Sequence, residues 1–305
     1  MVPELEGSLI GQKDAGSSRG LVAARLQRAS SDRRREIRYA PPIWRQWNLI
    51  WNFAQRDLKS KFKGAALGWV WSLVVPLATL GIYTVVFSLV FRLQPPDLGS
   101  GRTGVFVVWL FAGLTAWTFL SSSINAGISG LIGTGSLLKK VYFPAYAPVV
   151  GASVAVGIQS LIEMSIFLAV LAVLGNVGWT WLLIPLWVVL FAVFAVALAT
   201  IFAILNVYLR DLAHLVSITL QLLFYATPII YPISLVPETA RGLPMRALIE
   251  WSPISQFVDV FRDLTYGLGA GSGPSWAVLV ASAAGALVLA IVVNRRWGGD
   301  LGEQL

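Results

Sequence analysis

The sequence predicts an all-α integral membrane protein, with six transmembrane helices, an N-terminal interfacial amphipathic helix and two short external helices between spans 5 and 6. Three observations predict it. Only 12% of the 305 residues are charged and 56% are hydrophobic, whereas about a quarter of a soluble domain is charged. Residues 64–91, 103–138, 212–237 and 264–294 carry no Asp, Glu, Lys or Arg, and between Val141 and Leu209 the sole charge is Glu163. A bilayer core of roughly 30 Å needs about 20 apolar residues per helix, so these runs are long enough to cross. The Lys and Arg residues gather in alternate loops, the pattern that sets orientation in a membrane.

Residues 1–42 are polar, rich in Arg, Ser, Gly and Ala, and hold no apolar h-region. They are expected to form a disordered basic cytoplasmic tail, able to touch anionic lipid, and not a cleaved signal peptide. Residues 43–63 differ. Ile43, Trp47, Ile50, Trp51, Ala54 and Leu58 recur at helical spacing on one face, and Arg45, Asn48, Asn52, Arg56, Lys59 and Lys63 occupy the other. Trp opposite Lys and Arg marks a helix that lies in the membrane interface.

Residues 64–305 make the six-span domain. Span 1 is expected over about 67–91 and span 2 over about 105–120. The small, polar run Ser121–Gly127 and then Gly130, Gly133 and Gly135 change the character of the chain before Lys139-Lys140. Span 3 follows over about 145–174 and span 4 over about 181–208. Span 5 is expected over about 215–233, interrupted by Pro228 and Pro232, and span 6 over about 276–293. With the N-terminus inside, the cytoplasmic segments hold 18 basic residues and the external ones five. Both termini are therefore expected in the cytoplasm, with the protein in the cytoplasmic (inner) membrane. In the external loop, Phe257, Val260, Phe261 and Leu264 form an apolar stripe, with Asp259, Arg262 and Asp263 on or near its polar side. A shorter piece, 239–249, precedes it, giving two short helices at the outer leaflet. The sequence has no internal repeat of the kind inverted-repeat carriers show.

Composition excludes several chemistries. Cysteine is absent and His214 is the sole histidine, so thiolate or His-rich metal sites and a Ser-His-Asp triad lack material; no metal site is expected. No G-x-x-x-x-G-K-[ST] occurs, and Gly130–Gly135 follows no strand, so the chain is expected to bind no nucleotide cofactor of its own. The net charge of +8 is no nucleic-acid signal, because 13 of the 23 basic residues precede Gly64, where they act as a topology determinant.

The remaining candidates are few. Glu163 is the one acid inside a span, and such residues are functional hypotheses by default. It is either part of a proton or polar pathway, or a hydrogen-bonded packing residue near Gln159. Of the 13 Trp, 15 Phe and 8 Tyr, many sit at span ends as an interfacial belt. Tyr83, Phe87, Trp109, Trp117, Phe224 and Tyr225 lie within spans, where they could pack, face lipid, or stack on the C–H faces of sugar rings. Leu137–Pro144 puts Lys139 and Lys140 at the cytoplasmic surface between polar, helix-weakening residues and a proline. That compact element suits docking of a soluble partner. An enzyme reading, a membrane glycosyltransferase, would have to draw its carboxylates from Glu238, Glu250, Asp259 and Asp263.

Several of these residues together resemble a known family. Arg56-Asp57-Leu58-Lys59, then Leu67-Gly68-Trp69-Val70-Trp71 and Pro76, resemble the opening of type-2 ABC exporter permeases for polysaccharides. Leu137–Pro144 is similar to that family's coupling element. Tyr208-Leu209-Arg210-Asp211-Leu212 and Thr227-Pro228-Ile229-Ile230-Tyr231-Pro232 resemble its later signatures, and Ser252-Pro253 stands where the family often has Asn-Pro, in order over about residues 43–296. The relatives it is similar to export O-antigen, teichoic acid or actinobacterial galactan. The resemblance implies a non-catalytic homodimeric permease bound to two copies of a separate ATPase, which holds the Mg-ATP. Arg56, Asp57, Lys59, Lys139, Lys140, Arg210 and Asp211 would couple to that ATPase. Spans 1, 2 and 5 would line an aromatic channel, and Phe257, Asp259, Phe261, Arg262 and Asp263 would belong to an external gate. The cargo would be a polyprenyl-pyrophosphate-linked glycan. A drug or antibiotic exporter permease is the alternative within the superfamily, and a proton-coupled carrier resting on Glu163 lies outside it.

Overall fold

The computed structural model describes residues 46–62, 71–92, 96–138, 143–239, 242–299 and 301. The chain divides into two compact units, Met1–Trp47 and Asn48–Leu305, and the architecture below is that of the second. The N-terminal tail and Lys139-Lys140 lie outside the described residues.

The described residues form helices and turns with no strand among them. Helix α1 is Trp47–Phe62 and α2 is Trp71–Thr84, which continues into a π-turn at Val85–Val90. Helix α3 is Phe106–Ile132, α4 is Tyr146–Val173, and α5 is Ile184–Tyr208 behind a 3₁₀ turn at Trp179–Leu183. Helix α6 is Leu212–Ala226, α7 is Met245–Glu250, α8 is Pro253–Arg262 and α9 is Gly273–Trp297. Four helical segments are long and apolar enough to cross a membrane, namely α3, α4, Trp179–Tyr208 and α9; two apolar helices are shorter, Leu77–Val90 and Leu212–Ala226.

The bundle is organised around α3, which packs on α4 and α5, while α9 packs on the far side of α5. Helices α2 and α6 flank α3 with few buried residues of their own. Their outward faces, including Leu77, Ile82 and Leu89 on one and Leu215, Ile218 and Leu222 on the other, are exposed. In water such faces would demand a partner; in a bilayer, hydrocarbon or a second protein surface covers them at no cost.

Local chemistry explains the ends. Ser252 caps α8, its Oγ accepting from the Ser255 backbone N–H at 3.3 Å with Pro253 in the first turn. Ser272 caps α9 in the same way at 3.1 Å. Both starts pair a serine cap with a proline in the first turn, at the first helical position in α8 and the second in α9 (Pro274), which favours helix initiation. Helix α6 stops at Thr227, whose extended backbone (φ −84°, ψ 139°) is what a following proline requires.

Two expectations need correction here. The polar run Ser121–Gly127 does not end span 2; it is the interior of the 27-residue helix α3. Its side chains serve the helix: Ser121 Oγ donates to the Trp117 carbonyl and Asn125 Nδ2 to the Ser121 carbonyl, each at 2.9 Å. Polar groups that bond their own helix need no water. Span 5 is likewise not interrupted by Pro228 but terminated before it, with no α-helix from Thr227 to Val236.

Candidate functional site

Helices α3 and α4 run in opposite senses. The residues of interest therefore collect at the two ends of the bundle, with an aromatic line between them.

At the first end, α1 lies on the start of α4. Its buried face is Ile50, Phe53 and Ala54, and Phe53 meets Phe143 with ring centroids 5.4 Å apart. Gly151 makes the contact possible, since a Cβ there would sit 2.6 Å from the Phe53 Cβ and 2.9 Å from the Ile50 carbonyl oxygen. Phe53, outside the predicted apolar stripe, is 5% exposed and packs on the bundle beside Ile50 and Ala54 of that stripe, while Trp51 of the stripe is 38% exposed. One turn further, Arg56 pairs with Asp57 at 2.9 Å and lies over the Phe53 ring. Lys61 Nζ donates to Gln159 Oε1, and Gln159 Nε2 donates to Glu163 Oε1 at 2.9 Å. Glu163 is 3% exposed, so its buried carboxyl is joined through Gln159 to a cation on α1. A cavity of about 330 Å³ opens beside this chain, between Asp57 and Lys61 on α1, Ser121, Ser122 and Asn125 on α3, and Ala152 and Ala155 on α4. Lys59, Arg210 and Asp211 are exposed. The latter pair lies in the turn that starts α6, where the Asp211 carbonyl accepts from His214 and Leu215.

Five of the six sequence-selected aromatics touch one another in one line on the face shared by α2, α3 and α6, and the sixth, Trp109, joins it through Phe106. Tyr83 contacts Phe87 and Phe224 with centroids 6.1 Å apart in both cases, and Phe224 contacts Trp117 at 5.6 Å and Tyr225 at 5.2 Å. Phe87 continues to Phe106 and thence to Trp109. Trp109 and Trp117 are buried, while Tyr83, Phe87 and Phe224 are half-buried and Tyr225 is exposed.

At the second end, α8 packs on α3 and α9. Phe257 and Phe261 are fully buried against Trp187, Phe191 and Phe194 of α5. These two gate candidates therefore anchor α8 to the bundle. Arg262 corrects the expectation more sharply. Expected on the polar side, it is 7% exposed, with its guanidinium 3.7 Å from the Trp109 ring centroid. Nη1 donates to the Pro228 carbonyl at 2.7 Å and Nη2 to the Ile229 carbonyl at 2.5 Å. These carbonyls belong to the non-helical turn that follows α6, so Arg262 ties α8 to that turn and to the start of α3 together. Gly113 borders the guanidinium, and a Cβ there would overlap Nη2.

Burial lowers the Arg262 pKa to about 10, partly offset by Asp259, so it stays charged at neutral pH. Asp259, one turn before it, is pushed up to about 6 by burial, with Arg262 pulling down and Asp263 and Glu250 adding to the rise. Beyond it, Asn176 Nδ2 donates to the Thr265 and Tyr266 carbonyls and Thr180 Oγ1 to Leu264, clasping the turn after α8. Sequence reading missed this clasp, Gly113 and Trp187, because each acts through a residue 70 or more positions away. Among the described residues no group of His, Cys, Asp and Glu could hold a metal ion.

Four helices long and apolar enough to cross a membrane, with a buried arginine clasp at one end and a packed amphipathic helix at the other, define a multi-pass membrane protein. The particular family follows from comparison: the ABC-2 type transporter profile matches residues 48–266, and the chain belongs to that family. It is 33% identical over 239 residues to the O-antigen export system permease protein RfbA of Myxococcus xanthus, covering 75% of this chain and 85% of that one. A Klebsiella pneumoniae protein of the same name is 29% identical over 221 residues, covering 72% and 80%. The polysialic acid transport protein KpsM of Escherichia coli is 21% identical over 217 residues, covering 68% and 77%.

Proposed function

We propose that this chain is the transmembrane permease subunit of an ABC exporter that moves a polyprenyl-pyrophosphate-linked polysaccharide outward across the cytoplasmic membrane. The observation that carries the reading is the match along most of both chains to permeases named for O-antigen export. The chain itself is a non-catalytic transport subunit; ATP is used by a partner ATPase. In this reading six spans place both termini in the cytoplasm, and two copies of the chain pair with two ATPase subunits. The exposed faces of α2 and α6 fit such pairing, which would put the Tyr83–Phe224–Trp117 line beside the passage, where aromatic faces suit sugar rings.

The α1 end is then cytoplasmic. Its packing on Phe143 and Gly151 joins α1 to the segment that follows the Lys139-Lys140 turn, so force applied to either reaches α4. ATP binding on the partner would press this end, and the Arg262 clasp would pass movement of α6 to α8. Deletion of the chain, complemented by wild-type or charge-reversed variants, tests the reading. Export of the surface polysaccharide should be lost on deletion and restored by the wild type. Reversal of Lys139 and Lys140 to Glu should abolish ATPase binding or coupled hydrolysis. Unchanged surface glycan on deletion would sink the export assignment, and a fully active double reversal would sink the coupling one.

A further inference from the structure

The polar run of α3 and the cavity beside it are unused by the reading above. Asp57 and Lys61 stand four residues apart on α1, the spacing at which an acid and a base close on each other. Here they do not. Asp57 Oδ1 takes both Nε and Nη2 of Arg56, at 3.0 and 2.9 Å, and Lys61 turns to Gln159. The cavity of about 330 Å³ opens between them, within the range of small-ligand pockets, roughly 300–1,000 Å³.

Its lining is mixed. The polar lining residues are Asp57, Lys61, Ser122 and Asn125, and apolar Leu58, Ala126 and Ala155 are interleaved with them. A lysine ammonium is a compact point charge with three donors, of which Gln159 takes one. It matches a phosphate. Asp57 repels phosphate and accepts hydrogen bonds, so the same ligand must also bring donors, and hydroxyl groups are the neutral choice. The apolar residues among the lining suit the start of a hydrocarbon chain.

We infer that this cavity binds a phosphate-bearing lipid headgroup with adjacent hydroxyls, phosphate on Lys61 and hydroxyls on Asp57 and Asn125. Two lipids share that chemistry: phosphatidylglycerol of the bilayer, and the sugar–phosphate junction of a lipid-linked glycan. Only the second source rests on the export reading. Asn125 Oδ1 also accepts from Ser217 of α6 at 3.4 Å, so one lining residue is hydrogen-bonded to the helix that carries Phe224 and Tyr225.

The test is native mass spectrometry of the full permease–ATPase complex, released from vesicles of phosphatidylglycerol and phosphatidylcholine in equal parts. The wild type should retain phosphatidylglycerol selectively. Lys61→Ala should lower that retention about tenfold, the scale of one charged hydrogen bond, and Lys61→Arg should restore it. Ala126→Leu fills the cavity while leaving every charge in place and should lower retention as much. Loss in both Lys61→Ala and Ala126→Leu supports the site; loss in neither, or in only one, overturns it. A polyprenyl-pyrophosphoryl sugar that displaces the retained lipid identifies the cargo as occupant, and failure to displace assigns the site to the bilayer. Because the readout is binding, a negative result here leaves the export reading intact, and a failed export assay leaves this site intact.

Discussion

Replacing Arg262 by leucine is the sharpest probe of how the α8 end is held. The guanidinium makes charged hydrogen bonds to two carbonyls of the non-helical turn after α6, and it lies on the Trp109 ring. Charged hydrogen bonds are worth about 1.5–3 kcal/mol each, and a desolvated cation–π contact about 2 kcal/mol. Leucine fills much of the volume and removes a buried charge, which returns part of that sum. The net expected loss is about 3–5 kcal/mol, the scale for breaking a buried polar network by one partner. Arg262→Lys should fall between, since a single ammonium cannot reproduce the two-pronged geometry. The assay is hydrogen exchange of the permease in nanodiscs, read over residues 226–231 and 253–267, with thermal unfolding in parallel. Exchange should rise in both segments for Arg262→Leu while α4 and α9 stay protected. If melting is unchanged and exchange at 226–231 matches wild type, then Arg262 does not join α8 to α6 and the clasp is wrong.

Other outcomes follow from the same geometry. Gly113→Ala, which in an exposed helix would stabilise by about 0.5–1 kcal/mol, should instead destabilise and raise exchange at 226–231, because its methyl displaces the Arg262 guanidinium. Gly151→Val should push Phe53 and α1 off α4; co-purification of the ATPase subunit should drop while the membrane-embedded bundle keeps its melting temperature. Asp259 has a folded pKa raised from 3.8 to about 6, so its contribution is most favourable at acid pH. It then declines as pH rises from about 4 through 6, by about 3 kcal/mol at most. Asp259→Asn should flatten that slope and raise the melting temperature at pH 7.5. A variant that melts like wild type at both pH 5 and pH 7.5 removes the argument. Trp117→Ala with Phe224→Ala should lower glycan export several-fold while leaving basal ATPase activity in place; unaltered export would separate the aromatic line from the passage.

How much of this was legible in the chain differs from element to element. The span segments were readable because lipid penalises charge, and the long uncharged runs reappear as α3, α4, α5 and α9. The stripe Phe257, Val260, Phe261 and Leu264 was readable by its 3.6-residue period, and all four are 1% exposed or less. Arg262 was placed on the wrong side because an arginine next to two aspartates reads as solvated. The identity of its partners, the carbonyls of Pro228 and Ile229 at 34 and 33 residues earlier and a tryptophan in another span, has no local trace. The polar run in α3 misled for a related reason. Serines and asparagine weaken a helix in water, yet in this setting they bond to carbonyls one turn back and stay in register.

Composition and spacing alone determined the solvent of this protein, the approximate position of its helices and its lack of nucleotide-loop and cysteine chemistry, because each of those depends on residue type along a single segment. Tertiary structure decided which charges are answered and by what. Lys61 reaches Glu163 through Gln159, Arg262 reaches the turn after α6, and Asp57 parts from Lys61 to leave a cavity. Those pairings join residues far apart in the chain, and in a low-dielectric interior the cost of an unpaired charge rests on the few ångströms that only packing fixes.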